Sequence, residues 1–295
     1  MVRLSIIILS YNTKSLTEQC IQSLLSQLQQ NQQTSFEIVV VDNGSRDGSV
    51  QMLNNLKFKI KNLKLILNNN NIGYPKGNNQ ALKMAKGEYI LFLNSDVIVE
   101  NVDFDNILSF LDDHQQTAVL TVKVVLPDKT TDPASHRGFP NIWNSFCYFF
   151  GLERLFKRVP VFNKFFGGYH LVHLDLNTIH EIDSPTGAFY LTRKNILDKL
   201  NGFDEDFFMY GEDIDLSFRI KELGYHIIYN PQYRVIHLKH ASGLDQSDEK
   251  TRKKTREYFY EAMKIFYKKH YERIYPSFIN NLVYFFINLK KKAYV

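Results

Sequence analysis

Apolar residues in the first 126 positions fall into short β-rich runs separated by stretches of helical spacing. Residues 4–9, 37–41, 63–67 and 88–93 read as strands, with a further one at 118–126. Residues 16–28, 49–56 and 76–86 place apolar side chains at the three-and-four spacing of helices that bury one face. Alternation at this pitch predicts right-handed βαβ crossovers and a mostly parallel central sheet flanked by helices, an α/β fold. From 127 to 184 the regularity breaks. That stretch is rich in aromatic and basic residues, among them Phe139, Trp143, Phe146, Phe149, Arg154 and Lys157, and reads as an insertion of irregular or short helical structure. An extra core layer, an acceptor site and a membrane-contacting face all suit such a composition. Regular structure returns at 182–192, then as a helix at 213–223 closed by Gly224, a strand at 225–229, and Val235-Ile236-His237.

In open parallel sheets, ligands lie beyond the carboxyl ends of the strands. Three polar clusters sit there: Tyr11-Asn12, Asp42-Asn43-Gly44-Ser45 and Asn94-Ser95-Asp96. Each alone reads equally well as a turn or a helix cap. Three in one sheet point to a shared cleft. Composition adds little, since 44% hydrophobic and 23% charged residues over 295 positions are ordinary for a globular chain. Cys20 and Cys147 lie far apart and outside any CxxC pattern, so neither a disulfide framework nor a structural zinc is expected, which suits a reducing compartment. The first apolar run is too short for the core of a secretory leader, and no stretch approaches the ~20 residues of a spanning helix. Charge is more informative. Residues 250–295 carry 12 Lys/Arg against 3 Asp/Glu, whereas the preceding 249 carry 24 against 28. A mildly acidic body with a basic tail implies an anionic partner for the tail alone.

The clusters supply groups able to accept hydrogen bonds from a ligand, hold a divalent cation and take a proton. Asp42, at a strand end, can accept hydrogen bonds from a base N–H or from ribose hydroxyls. Asp96 is a candidate ligand for Mg²⁺ or Mn²⁺, which keep positions open for phosphate oxygens and water. His237 is a second candidate ligand, although a histidine after a Val-Ile pair is more often simply packed. Glu212-Asp213, with Asp215 close behind, concentrates acids where a base is needed to deprotonate an attacking hydroxyl. The same acids suit a helix N-terminus, and the apolar Phe207-Phe208-Met209-Tyr210 before them suits a lined pocket.

The order of these motifs resembles the family 2 glycosyltransferases of GT-A fold. Ser5-Ile6-Ile7-Ile8-Leu9-Ser10-Tyr11-Asn12 and Glu37-Ile38-Val39-Val40-Val41-Asp42-Asn43-Gly44-Ser45 are similar to the family's opening. Asn71-Ile72-Gly73-Tyr74-Pro75-Lys76-Gly77-Asn78-Asn79 follows, then Tyr89-Ile90-Leu91-Phe92-Leu93-Asn94-Ser95-Asp96. Pro185-Thr186-Gly187-Ala188, Phe208-Met209-Tyr210-Gly211-Glu212-Asp213 and His237 complete the pattern, over roughly residues 4–243. It looks closest to the rhamnosyltransferase-like branch that builds bacterial surface polysaccharides.

The resemblance implies a Rossmann-like sheet, a nucleotide-sugar donor, a divalent metal and inverting transfer to a saccharide or lipid-linked acceptor, with rhamnose one candidate sugar. Asp42 would contact the nucleoside together with the backbone near Tyr11, and Asn12, Asn43, Gly73, Asn78, Asn94 and Ser95 would line the donor site. Asp96 would hold the metal with His237 as a distant helper. Asp213 would be the base with Glu212 beside it, and Gly187 and Ala188 would border sugar and acceptor. Two departures stand out. The metal motif carries one carboxylate where relatives often have two, and an expected Pro-Asp-Gly reads Pro127-Asp128-Lys129. The organisation expected is a catalytic domain at 1–249, comprising a nucleotide-sugar half (1–126), the insertion (127–184) and an acceptor half (185–249), then a basic helical tail (250–295).

In that tail, residues 252–273 form an amphipathic pattern. Residues 278–289 are an apolar run broken by Asn280, Asn281 and Asn288 and followed by Lys290-Lys291-Lys292. Peripheral contact with the inner face of the cell membrane is expected from this pattern, in a protein that is otherwise cytoplasmic. The rival reading is a helix packed back on the body. An inactive nucleotide-sugar-binding subunit would not need Asp213 in addition to Asp42 and Asp96. Nucleic acid is not expected as a partner, because the body is acidic and lacks a recognised motif. A nucleotidyltransferase would want a Gly- and Lys-rich phosphate loop where Ser10-Tyr11-Asn12-Thr13 stands.

Overall fold

The first strand, β1 (Leu4–Ser10), shows how the sheet is built. Ile6 and Ile8 point into one apolar layer and Ile7 into the other, so both faces are covered and the strand reads as an unbroken apolar run. In this computed structural model, which describes residues 2–30, 33–239 and 249–294, β1 pairs in parallel with β2 (Phe36–Asp42) and with β4 (Tyr89–Asn94). Strand β3 (Leu63–Leu67) pairs in parallel with β2 on its far side. The connecting helices are α1 (Lys14–Gln30), α2 (Ser49–Lys59) and α3 (Tyr74–Met84).

Beyond β4 the chain runs through β5 (Val97–Asn101), α4 (Phe104–Asp113) and β6 (Thr117–Val125), then through three short helices of the insertion. These are α5 (Ile142–Phe149), α6 (Leu152–Phe156) and α7 (Phe162–Phe166). After them come β7 (His180–Glu181), β8 (Phe189–Arg193), α8 (Lys194–Leu200), α9 (Glu212–Glu222) and β9 (His226–His237). Two helices close the described chain, α10 (Glu249–His270) and α11 (Ser277–Tyr294). The sheet order is β3-β2-β1-β4-β8-β6-β9-β5, with β7 on β9. The β3-β2-β1-β4 half is wholly parallel, as expected. In the other half β8 runs antiparallel to both β4 and β6, so the sheet is mixed.

The alternation seen in β1 sets the two helical layers. On one face α1, α2 and α4 cover Ile6, Ile8, Ile38, Val40 and Leu91. On the other, α3, α8 and α9 cover Ile7, Val39, Val41, Ile90 and Phe92. Residues 225–229 and 235–237, read from sequence as separate pieces, are one strand. Its register slips between Asn230 and Arg234 against β6, where Pro231 cannot donate to the ladder.

The tail packs back on the body. Phe266 and Tyr267 of α10, and Tyr271 just after it, bury against Phe207 and Ile214, with Phe218 alongside. The contact is polar as well. Asp215 is fully buried, its Oδ2 accepting from Arg219 Nε at 2.8 Å and its Oδ1 meeting Lys269 Nζ and His270 Nε2, both at 2.7 Å. Burial pushes the Asp215 carboxyl up, but His270, Arg219 and Lys269 together bring it down to about 2. Its stabilising contribution is therefore present above the unfolded carboxyl's pKa, near ~3.9, and lost as pH falls through about 2. Asp215→Asn should cost about 3–5 kcal/mol, because it strands the cations of α10 against an uncharged partner. A urea midpoint that does not move would refute this. Among the described residues no helix is long and apolar enough to cross a membrane.

Candidate active site

All three strand-end clusters lie at the carboxyl ends of neighbouring strands, and hydrogen bonds stitch them together. Asn12, in a left-handed conformation (φ 53°), donates its backbone N–H to Ser45 Oγ and accepts from Arg46 N–H, both at 2.8 Å, tying the end of β1 to that of β2. Thr13 Oγ1 lies 3.2 Å from Ser95 Oγ, tying β1 to the end of β4. Tyr11 is left exposed at the rim.

Asp42 ends β2 fully buried. Its Oδ1 accepts from the backbone N–H groups of Gly44 and Ser45, whereas Oδ2 is buried without a partner. A buried carboxylate oxygen lacking a donor costs free energy unless a ligand supplies one. Asn43 behaves differently. Its side chain donates to Asn71 and to the Gly73 carbonyl, and accepts from Asn68 and Ile72, so it pins the 68–73 loop and has no spare capacity for a ligand.

That loop reaches the acidic helix. Gly73 has φ +94°, and a Cβ there would come within 2.8 Å of the Phe208 carbonyl, the same oxygen that accepts from Tyr74 N–H. Only glycine fits this approach. Tyr74 sits at the centre of the site. Its hydroxyl donates to Asn94 Oδ1 at 3.1 Å and packs where any Cβ on Gly187 would lie, 2.7 Å away. Burial raises the phenol well above its ordinary pKa, and Glu212, Asp213 and Asp96 reinforce the shift. One buried phenol thus feels the charges of all three. Asn78, one turn along α3, donates to the Tyr74 carbonyl and keeps a buried, unpartnered Oδ1. Ala188 is fully buried in the core, and its carbonyl accepts from Asn94 N–H, so it fixes the wall behind Gly187 without facing the cleft.

Asp96 occupies the turn between β4 and β5, with its Oδ1 3.3 Å from His237 Nε2 at the end of β9. The other imidazole nitrogen, Nδ1, meets Asp132 Oδ2 at 2.9 Å, and Lys239 holds the second Asp132 oxygen at 2.8 Å. Burial alone would lower the His237 pKa, but Asp132 and Asp96 carry it up to about 9. A carboxylate on the far nitrogen is how metal-binding histidines are commonly oriented. Among the described residues no group of three or more His, Cys, Asp or Glu side chains could hold an ion unaided. The pair Asp96 and His237 fits an ion that takes its remaining ligands from phosphate and water.

Gly211, in a left-handed conformation (φ +78°), starts α9 and turns Glu212 and Asp213 inward, both nearly buried. Burial and neighbouring Asp213 raise the Glu212 pKa to about 8, and its Oε2 is without a partner. Asp213 is instead committed. Arg137 Nη2 lies 2.7 Å from its Oδ2 and donates also to the Pro185 carbonyl at 2.6 Å. Arg137 is buried with an unpartnered Nε.

The structure places the expected residues at the neighbouring ends of β1, β2 and β4, at the end of β9 and at the start of α9, with Asp96, Glu212 and Asp213 all close enough to act on Tyr74. Asn43 and Ala188 stand there as supports. Sequence reasoning missed Arg137, Asp132 and Tyr74. Tyr74 lay inside a quoted motif and could have been found there, whereas Arg137 and Asp132 fall in the irregular insertion, where spacing carries no signal.

Parallel strand ends at the switch to antiparallel pairing, with acids at the start of α9, give an α/β architecture of the glycosyltransferase kind. Residues 5–174 match the family described as glycosyl transferase family 2, and residues 170–291 match glycosyl transferase family group 2; the chain belongs to glycosyl transferase family 2. It is 41% identical over 96 residues to the poly(ribitol-phosphate) beta-glucosyltransferase of Bacillus spizizenii, a match covering 32% of this chain and 15% of that one. The N-acetylglucosaminyl-diphospho-decaprenol L-rhamnosyltransferase of Mycobacterium tuberculosis is 26% identical over 220 residues, 70% of this chain and 68% of that one. Among solved structures, the mannosyltransferase PcManGT of Pyrobaculum calidifontis, in complex with GDP-Man and Mn²⁺, superposes with a TM-score of 0.58 at 17% identity. That superposition covers 90% of this chain and 64% of the other, and it supports the GT-A fold.

Proposed function

We propose that this chain transfers a sugar from a nucleoside-diphosphate sugar to a hydroxyl of a saccharide or lipid-linked saccharide, with inversion, in the synthesis of a cell-surface polysaccharide. The observation that carries this reading is the buried, unpartnered Oδ2 of Asp42, at the strand ends beside which Asp96 follows β4, with Asp213 at the start of α9. Asp42 would take the nucleoside through that oxygen. Asp96 and His237 would hold Mg²⁺ or Mn²⁺. The ion, when bound, neutralises charge on the departing diphosphate. Asp213 would accept the proton of the attacking hydroxyl. Its two oxygens offer about four acceptor positions, of which Arg137 and the Ile214 N–H take two. Glu212, neutral below about pH 8, would donate a hydrogen bond to a sugar or acceptor oxygen. The mycobacterial relative's name, with its diphospho-decaprenol acceptor and rhamnose donor, supports a lipid-linked acceptor and makes rhamnose the first sugar to try.

Peripheral contact with the inner face of the membrane belongs to the same proposal. On α11, Phe278, Leu282, Phe285 and Leu289 share one stripe and are all half exposed or more, ahead of Lys290, Lys291 and Lys292.

Calorimetric titration of the full chain with UDP-, GDP- and dTDP-sugars, with and without Mn²⁺ or Mg²⁺, tests the reading. One donor should bind, at least tenfold more tightly with metal. If none binds under any condition, the transferase reading fails.

A further inference from the structure

Most of the exposed large apolar side chains of this protein lie in residues 143–165 and 259–289. Those two segments face each other. Phe150, just after α5, meets Phe286 of α11 with ring centroids 6.4 Å apart, and Lys290 Nζ sits 5.7 Å above the Phe149 ring. Between them runs a groove of about 440 Å³ with Tyr148, Phe149, Phe259 and Tyr260 on its walls. Arg154 and Lys290 also line it. Arg154 is exposed and makes no ion pair among the described residues. The acid in the groove, Glu153, is already occupied by His170, at 2.6 Å from Nδ1 and 3.2 Å from the backbone N–H.

Both walls lead to the acids of α9. On the insertion side Tyr148 packs on Tyr169, with centroids 5.2 Å apart, and the Tyr169 phenol lies beside Arg137, the partner of Asp213. On the tail side Phe259 packs on Tyr210, with centroids 6.0 Å apart, two residues before Glu212. Aromatic walls, two cations beside them and an apolar stripe running outward along α11 match an amphiphile with an anionic head and a hydrocarbon chain.

We infer that this groove binds the phosphate and first isoprene units of a polyprenyl-phosphate carrier, holding a lipid-linked acceptor so that its saccharide reaches Asp213. The inference rests on the lipid-linked acceptor of the proposed function and gives that acceptor a seat made jointly by the insertion and the tail. Arg154 and Lys290 take the phosphate oxygens, and the chain runs outward past Phe150, Phe286 and Leu282.

The chain carries its own reporter. Trp143, its one tryptophan, lies on α5 about 7 Å along the axis from Tyr148 and is half exposed. Titrating the full chain with geranylgeranyl phosphate, below the concentration at which it forms micelles, should give a saturable change in Trp143 fluorescence. Geranylgeraniol and inorganic phosphate alone should each bind at least tenfold more weakly. The variant Arg154→Glu with Lys290→Gln should weaken the lipid phosphate at least tenfold, with an unchanged melting temperature and unchanged donor binding. Arg154→Glu alone removes no hydrogen bond or ion pair among the described residues and should show the same direction. Three results would overturn the inference: no saturable response, equal affinity in the variant, or binding only to phosphatidylglycerol vesicles and not to the monomeric lipid phosphate. A protein that takes the lipid phosphate through Arg154 yet binds no nucleotide sugar would uphold the groove while refuting the transferase reading.

Discussion

Asp213→Asn is expected to lower kcat by about 10²–10⁴-fold while donor affinity changes by no more than a few fold. The amide keeps the shape and one acceptor but cannot take a proton at neutral pH. Stability complicates the measurement. Arg137 is buried, and without the carboxylate at 2.7 Å its charge is uncompensated, which costs about 3–5 kcal/mol. Pairing Asp213→Asn with Arg137→Met removes both charges. It should recover much of the stability and none of the rate, so loss of chemistry and loss of fold are read separately. Glu212→Gln is the companion variant. It should cost less in rate and remove any step in the pH–rate profile near pH 8, where the folded Glu212 titrates. If Glu212→Gln proves the more damaging and Asp213→Asn mild, the two acids exchange roles.

Asp96→Asn is expected to abolish the metal-dependent part of donor binding and to reduce kcat/KM by about 10²–10³-fold. The residual binding should equal that of the unaltered protein in EDTA, since Asp42 and its loop are untouched. Asp96 is the one carboxylate of Asn94-Ser95-Asp96, so no neighbour in the motif can substitute. His237 would also lose one of the two carboxylates that raise its pKa. A titration in which Mn²⁺ still sharpens donor binding to Asp96→Asn would remove Asp96 from the metal site.

How much of this was legible in the sequence depended on the kind of signal. Strands β1, β2 and β4 were readable because each is buried on both faces, and such strands show as apolar runs between turn residues; the edge strand β3 is only partly covered yet keeps an apolar run. Helix α4 passes unassigned in the sequence reading although Phe104, Ile107, Leu108 and Leu111 follow the same periodicity and Asp103 caps it by accepting from Asn106 N–H. The mixed half of the sheet was not legible. Nothing local in residues 189–193 says that β8 runs antiparallel between β4 and β6, because strand direction is fixed by the long connection through the insertion. In the site, residues at strand ends and at the start of α9 were found by position. Their supports were not, since Asp132 and Arg137 act across more than seventy residues of chain. The tail's composition suggested either a membrane or the body as partner. The structure shows the body as the partner of one face, with Phe266 and Tyr271 turned inward, and leaves the stripe of α11 exposed.

The clamp on Asp215 bears on the order in which the chain becomes active during synthesis. Domains generally fold as they emerge, amino-terminal parts first. The sheet and α9 can therefore assemble while Lys269 and His270 have not yet been made, leaving Asp215 with Arg219 alone and Phe218 covered only by Phe139. In that interval Arg137 already holds Asp213 and Arg219 one oxygen of Asp215, while the other Asp215 oxygen waits for Lys269 and His270. The nascent chain would hold its strand ends assembled beside a helix α9 whose outer face is not yet locked in place.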